Sequence, residues 1–168
     1  MDDDTAMRPS VALVGSFRQH YEAICGAKAI FDSHGVEVTT PLGSPVLDPG
    51  QDFVRFATDC MDLSDPHVQT VALHRIFRAR AVYVVAVGGY VGRTTAYEVG
   101  RATQAGRPIY FSERPLDLPI HVPGEHVVEP DELARRILES REIASVHASE
   151  DEHALLERRL LTGDYSYE

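Results

Sequence analysis

The sequence predicts an α/β protein: a single-domain Rossmann-like or flavodoxin-like sandwich, in which helices cover both faces of a parallel sheet of about five strands. Three observations lead to this prediction. Short apolar runs typical of buried parallel strands recur along the chain. Segments with the apolar spacing of helices alternate with these runs. The length of 168 residues, with 43% hydrophobic residues, is enough to enclose one core.

The first predicted elements are two strands with a helix between them. Residues 11–14 form an apolar run that ends at Gly15, which is typical of a buried parallel strand. Helical periodicity then covers residues 21–33, and Gly35 is placed to end that helix. Residues 36–39 form the second predicted strand.

The later segments continue the alternation, with the most apolar strand over residues 81–87. The other expected elements are a loop over 42–52, a short helix over 52–60, helices over 68–79, 95–105 and 131–143, a strand at 109–111, and a weaker strand within 120–122 or 126–128. Residues 1–9 are expected to be a flexible acidic N-terminus, residues 10–146 the folded domain, and residues 147–168 an acidic helical tail containing leucines.

Composition and motifs exclude several function classes. The net charge is −10 and no Lys or Arg cluster is longer than a pair, which argues against a nucleic-acid polymer as partner. No apolar run approaches the roughly 20 residues of a membrane span, so we expect a cytoplasmic protein without membrane contact. Dinucleotide, triphosphate and zinc-protease motifs are lacking, so no cofactor and no metal are expected. Cys25 and Cys60 lack disulfide-framework spacing and are expected to be reduced, buried thiols.

The glycine turn after the third predicted strand is the strongest candidate for a site. Ligands of open α/β sheets bind beyond the carboxyl ends of the strands, where this turn leads into a helix carrying Glu98. Two interpretations of Glu98 are open. It forms a capping box with Thr95, or it is a catalytic carboxylate kept ionised by the positive end of the helix dipole.

A second candidate is the loop after the first predicted strand. Ser16 and Arg18, together with backbone N–H groups at a helix start, would suit a phosphate. Alternatively, Arg18 is a solvated residue at the entrance to the helix. Tyr90, beside the glycine turn, either stacks on a nucleobase or packs within the protein.

These motifs resemble the nucleoside 2-deoxyribosyltransferase-like superfamily. Residues 15–18 match its Gly-Ser-x-Arg, residues 95–102 match its Thr-x-x-Glu-hydrophobic-Gly-x-Ala, and residues 106–109 match its re-entry into the next strand. The resemblance covers about residues 10–112. The segment around Glu98 is similar to a largely uncharacterised bacterial branch, and the first loop is similar to 2′-deoxynucleoside 5′-phosphate N-hydrolases.

The resemblance implies cleavage of an N-glycosidic bond, by hydrolysis or base transfer, in a nucleoside or nucleoside 5′-monophosphate. Glu98 would be the nucleophile that forms a glycosyl ester. A homodimer or higher homo-oligomer is also implied. The substrate-binding residues expected on this basis are Gly15, Ser16, Phe17, Arg18, Gly89, Tyr90, Gly92, Arg93, Thr94 and Thr95.

The chain departs from the family at two positions. Gly92 and Arg80 stand where carboxylates are usual, which leaves the general acid that protonates the departing base without a clear identity. His74, Asp59 and Asp62 are the alternatives for that role. A nucleotide-binding or sensor protein that is catalytically silent is therefore the alternative function.

Overall fold

The computed structural model of the protein describes residues 8–41, 62–139 and 143–166. Within these ranges the chain alternates between strands and helices. The four strands are β1 (Ser10–Gly15), β2 (Glu37–Thr40), β3 (Ala81–Val85) and β4 (Ile109–Phe111). The five α-helices are α1 (Phe17–Ser33), α2 (Asp65–Arg78), α3 (Arg93–Gln104), α4 (Pro130–Leu138) and α5 (Glu152–Thr162).

The strands form one parallel sheet in the order β2-β1-β3-β4, which confirms the predicted α/β class. From β1 the chain moves outward to β2, then crosses back over β1 to reach β3 and β4. The winding direction therefore reverses between β1 and β3, and ligands in open α/β sheets bind at such a switch point. The register runs from Val11 opposite Ala81 to Gly15 opposite Val85, so β1 and β3 end side by side.

The predicted fifth strand is not a strand in the described part of the chain. Val127 makes a single parallel bridge to Phe111 of β4 and no further pairing. Only one residue can pair because a turn of 3₁₀-helix at Gly124–His126 precedes it and α4 begins at Pro130. Over residues 8–41, 62–139 and 143–166 the sheet thus has four strands rather than five.

Among the described helices, α1 and α4 cover one face of the sheet and α2 and α3 cover the other, with a separate apolar cluster under each pair. Alternate strand residues point to opposite faces, as β-geometry requires. Leu13 and Tyr83 pack with α1 and α4 on one face, whereas Val14 and Val84 pack with α2 and α3 on the other. This arrangement places α2 beside α3.

Several predicted boundaries were wrong by a few residues. Helix α1 begins at Phe17 and not at residue 21, and α4 ends at Leu138 and not at residue 143. The third strand ends at Val85, after which Val87–Gly89 forms a 3₁₀ turn. The loop and helix predicted over 42–60 lie outside the described residues, as does most of the predicted N-terminal segment.

Two other expectations concern membrane-spanning helices and the cysteines. None of the described helices is long and apolar enough to cross a membrane. The thiol of Cys25 is exposed on α1, so the expectation of a buried thiol was wrong for this residue. Ile24 occupies the adjacent inward position of the helix and is fully buried instead. Cys60 lies outside the described residues.

Candidate active site

A pocket of about 350 Å³ lies at the switch point between β1 and β3. Its walls come from the end of β1, the first turn of α1, one side of α2, the turn after β3 and the first half of α3. Most of the residues predicted from the sequence meet here. The predicted residues that line the pocket are Gly15, Ser16, Phe17, Arg18, Tyr90, Gly92, Arg93, Thr94, Thr95 and Glu98.

Gly89 is the predicted site residue that does not line the pocket. Its φ is +77°, and a Cβ built on it would lie 2.5 Å from Cγ of Leu116. The amide of Leu116 donates a hydrogen bond to the Gly89 carbonyl at 2.8 Å. Glycine is therefore required here by a tight turn and a close backbone approach, and not by contact with a ligand.

The helix that carries Glu98 begins earlier than the sequence predicted, and this excludes the capping box. Gly92 is the N-cap of α3 with φ +84°, and no acidic residue lies in the first turn. Glu98 is in the second turn, and its carboxylate caps nothing. The positive φ of Gly92 allows the chain to enter the helix before Thr95, which a capping-box alignment would have made the N-cap.

A carboxylate from a different segment holds the start of α3. Asp117 accepts hydrogen bonds from the backbone N–H of Val91 at 3.0 and 3.1 Å and from that of Gly92 at 3.0 Å. A negative charge at this place also suits the positive end of the helix dipole. Asp117 thus takes the stabilising role that the capping-box interpretation gave to Glu98.

Glu98 is partly buried between α2 and α3, and its environment differs from the one expected. Oε1 accepts a hydrogen bond from Nε2 of Gln69 on α2 at 2.8 Å. Burial raises the pKa of Glu98 to about 7, although the Gln69 hydrogen bond acts to lower it. The expectation that the helix dipole would keep Glu98 ionised was wrong, because the dipole effect fades beyond the first turn. Near neutral pH the carboxyl is present in both protonation states.

Gln69 and Arg75 line the pocket although the sequence did not single them out. Both lie on α2, which was predicted as a helix without an assigned role. A helix pattern identifies an inward face but not which polar residue at its margin points into a cavity. The sequence feature that points to Gln69 is its position next to Val68, a buried residue near the start of α2.

The charges around the pocket favour an anionic ligand. Among the described residues that line it, Arg18, Arg75 and Arg93 are cationic, and Glu98 is the one carboxylate. A phosphate or another small anion would be attracted to this excess of guanidinium groups. The whole chain, in contrast, is acidic with a net charge of −10. Cationic side chains therefore outnumber carboxylates in the described part of the pocket lining, although the chain as a whole is acidic.

Positions 80 and 92, where the superfamily that the sequence resembles usually has carboxylates, have surroundings that explain their residues. Arg80 is at the amino end of β3, the opposite edge of the sheet, where its Nη1 donates to the Ile137 carbonyl at 2.8 Å. A carboxylate at position 80 would therefore be remote from the pocket. At Gly92 a Cβ would lie 3.2 Å from the Tyr90 ring, and the positive φ strains any other residue.

None of the three proposed general acids lines the pocket within the described part of the chain. His74 is exposed on α2, and Asp62 is exposed before that helix. Asp59 lies outside the described residues. Neither a histidine nor a second carboxylate is among the described lining residues.

Comparisons with protein-family models, with curated proteins and with solved structures give no significant match to this chain. A function is therefore inferred from the chemistry of the pocket.

Proposed function

We propose that this protein cleaves the N-glycosidic bond of a nucleoside or nucleoside 5′-monophosphate, by hydrolysis or base transfer, with Glu98 as the nucleophile. The observation that carries the proposal is the position of Glu98: among the described residues that line the pocket it is the single carboxylate, it is partly buried, and the other charged ones are arginines. Such a pocket combines attraction for a phosphate with one group able to attack a sugar carbon.

The chemistry follows the two-step route of retaining glycosidases. A carboxylate oxygen of Glu98 bonds to the anomeric carbon as the C–N bond breaks, and the base departs with the electron pair and takes up a proton from solvent, which is returned when water opens the ester. Water then attacks the glycosyl ester, releases the sugar and restores the carboxylate; a second base in place of water gives transfer. Gln69 donates to Oε1 and so orients the carboxyl while leaving Oε2 for bond formation.

The first turn of α1 is the proposed phosphate site. Ser16 is the N-cap residue, and its hydroxyl makes no capping hydrogen bond. The backbone N–H groups of a helix start attract anions, and the neighbouring Arg18 adds a guanidinium group. A nucleoside 5′-phosphate bound there would have its sugar between this turn and Glu98.

The test is release of free base from a panel of nucleosides and nucleoside 5′-monophosphates, followed by chromatography. We expect turnover by the wild-type protein and a loss of about 10³-fold or more in Glu98→Gln. Glu22→Gln, an equivalent change at an exposed position of α1, should retain full activity. Arg18→Ala should raise KM for monophosphates about tenfold or more while changing KM for nucleosides little. Wild-type turnover that persists in Glu98→Gln would contradict the assignment.

The alternative is a nucleotide-binding or sensor protein without catalysis. It is favoured by the lack of a histidine or second carboxylate among the described lining residues, since the departing base must be protonated. Thermal unfolding with the same panel separates the two functions. A ligand that binds only the native state raises the midpoint. Stabilisation without base release supports the binding protein. A panel that causes neither stabilisation nor base release would exclude both functions.

A further inference from the structure

A second cavity, of about 260 Å³, lies on the other side of α3. It is enclosed by α3, the segment 118–122 and the segment 146–157, and it shares no lining residue with the Glu98 pocket. Its wall is mostly apolar, and the residues that form that wall include Val99, Ile109, Phe111, Leu118, Val122 and Val146.

Among the described residues of this wall, one buried polar side-chain atom has no hydrogen-bond partner. His147 is 5% exposed, and its Nε2 is buried without a hydrogen bond. With Nε2 unpartnered, the other ring nitrogen, Nδ1, is the one that faces the backbone carbonyl of Thr103 near the end of α3. Since a carbonyl can only accept, Nδ1 carries the hydrogen and Nε2 presents a lone pair. Burial lowers the pKa of His147, so the neutral ring with this acceptor is favoured.

An unsatisfied buried acceptor costs about 1–3 kcal/mol and is uncommon in native proteins. His147 lines the cavity, so a molecule inside it could supply the missing donor. A metal ion is not the expected occupant, because no group of three or more potential ligand residues suited to a metal is found in the described ranges.

The rim of the cavity is polar. His121 and His153 face each other there with ring centroids 5.1 Å apart. Each is next to a carboxylate: His121 is 3.7 Å from Asp151, and His153 is 3.5 Å from Glu157. The cavity therefore has an apolar interior, one inward-facing acceptor and a polar entrance, which is the usual construction of a small-molecule site.

We propose that this cavity binds a small, mostly apolar ring compound that donates one hydrogen bond to Nε2 of His147. A cavity of about 150 Å³ is enough for benzene in another protein, so a two-ring molecule of the indole class is of suitable size here. This site is separate from the one in the proposed function, and its existence does not depend on catalysis at Glu98.

Indole and indene make a matched pair of probes, because they have nearly the same shape and only indole has an N–H donor. We expect saturable binding of indole to the full chain in calorimetric or ligand-observed NMR titrations, with indene about tenfold weaker. His147→Phe keeps a ring but removes the acceptor, and should bring the two affinities within about threefold of each other.

A cavity-filling variant tests the location. A Cβ at Gly100, which lines the cavity on α3, meets no atom within 4 Å, so Gly100→Leu should occupy the space and abolish indole binding. Gly26→Leu is the matched control on α1, where a Cβ also has open space. Leucine favours helix more than glycine, so neither change should prevent folding.

Glu98→Gln should leave indole affinity unchanged, because Glu98 lines the other pocket. Loss of binding in that variant would place indole at the switch point and overturn the proposal. So would an absence of saturable indole binding at millimolar concentration, which would leave water as the partner of Nε2. Binding that is unaffected by both His147→Phe and Gly100→Leu would overturn it too.

Discussion

Glu98 links function to stability, because its carboxyl is more easily protonated in the folded chain than in the unfolded one. Its pKa rises from 4.5 to about 7 through burial. Between these values the folded state binds more protons, so the free energy of unfolding falls as pH rises through this window. The stabilisation that comes from protonated Glu98 is complete below about pH 4.5 and is lost above about pH 7.

The variant Glu98→Gln should remove this dependence. At pH 8 it no longer carries a buried charge, so we expect it to be more stable than the wild type by up to about 3 kcal/mol, whereas at pH 4 the two should be similar. Urea unfolding of both proteins at the two pH values measures the difference. Parallel stability curves across this range would contradict a raised pKa. This measurement is independent of any substrate.

Site residues in the segment that follows an apolar strand could be predicted from the sequence, whereas Gln69, in the middle of a helix pattern, could not. Glu98 and Arg18 follow strands that the apolar runs make visible, and both line the pocket. Gln69 lies in the middle of an ordinary amphipathic segment, so its contact with Glu98 depends on how two helices rotate against the sheet. Packing determines that rotation, and local sequence does not encode it directly.

At the scale of elements, the start of α3 depends on the loop after β4. Besides the Asp117 bonds, the side chain of Ser112 accepts from the Ala86 amide at 2.9 Å and that of Glu113 accepts from the Gly88 amide at 3.1 Å. The turn that shapes one wall of the Glu98 pocket is therefore held by side chains from a separate segment.

Asp117→Ala should loosen this turn without unfolding the protein. We expect a loss of about 1–2 kcal/mol in the free energy of unfolding, since two backbone donors lose a charged acceptor at a partly exposed site. Hydrogen exchange at the amides of Val91 and Gly92 should become faster. Asp117→Asn keeps one acceptor oxygen and should lie between the two proteins. Unchanged exchange at both amides in Asp117→Ala would show that the carboxylate does not hold the turn.

Buried strands were easier to predict than helix ends. The apolar runs at β1 and β3 lie in the middle of the sheet, where both faces are covered, so their pattern is nearly continuous. Helix α3 starts early because Gly92 adopts a positive φ that capping statistics do not anticipate. Val127 lies beside another valine, which favours a strand, but the 3₁₀ turn before it and the start of α4 after it leave too little extended chain for one.

At the scale of the whole molecule, the sequence predicted the alternation of strands and helices but not which strands are neighbours. The order β2-β1-β3-β4 arises when the chain crosses β1 on its way from β2 to β3. That crossing brings the end of β1 beside the end of β3 and so joins two motifs far apart in sequence. The alternation alone permits other orders, which would have separated them.

We also expect the protein to form a homo-oligomer. Val87 and Tyr90 flank the glycine turn in sequence and are exposed, and Leu116, which lies against Gly89, is 79% exposed. Clustered exposed apolar side chains beside a pocket are typical of a surface that another chain covers. Sedimentation velocity should give at least twice the 18.6 kDa mass of one chain.

Leu116→Glu should shift the protein toward the monomer, because a charge would be buried in the contact. Leu155→Glu is the control: it places the same substitution at an exposed leucine on α5. A wild-type protein that sediments as a monomer at micromolar concentration would refute the oligomer, and dissociation by Leu155→Glu alone would place the contact on α5.

The hydrogen bonds of Asp117 have a consequence for how this site would evolve. Its donors are the backbone N–H groups of Val91 and Gly92, which every residue except proline possesses. A change of side chain at position 91 would therefore need no compensating change at position 117, whereas position 92 is kept as glycine by its positive φ and not by this hydrogen bond. Statistical methods that infer contacts from correlated substitutions would miss this link, although an aspartate at position 117 should persist through the divergence of the sequences around it.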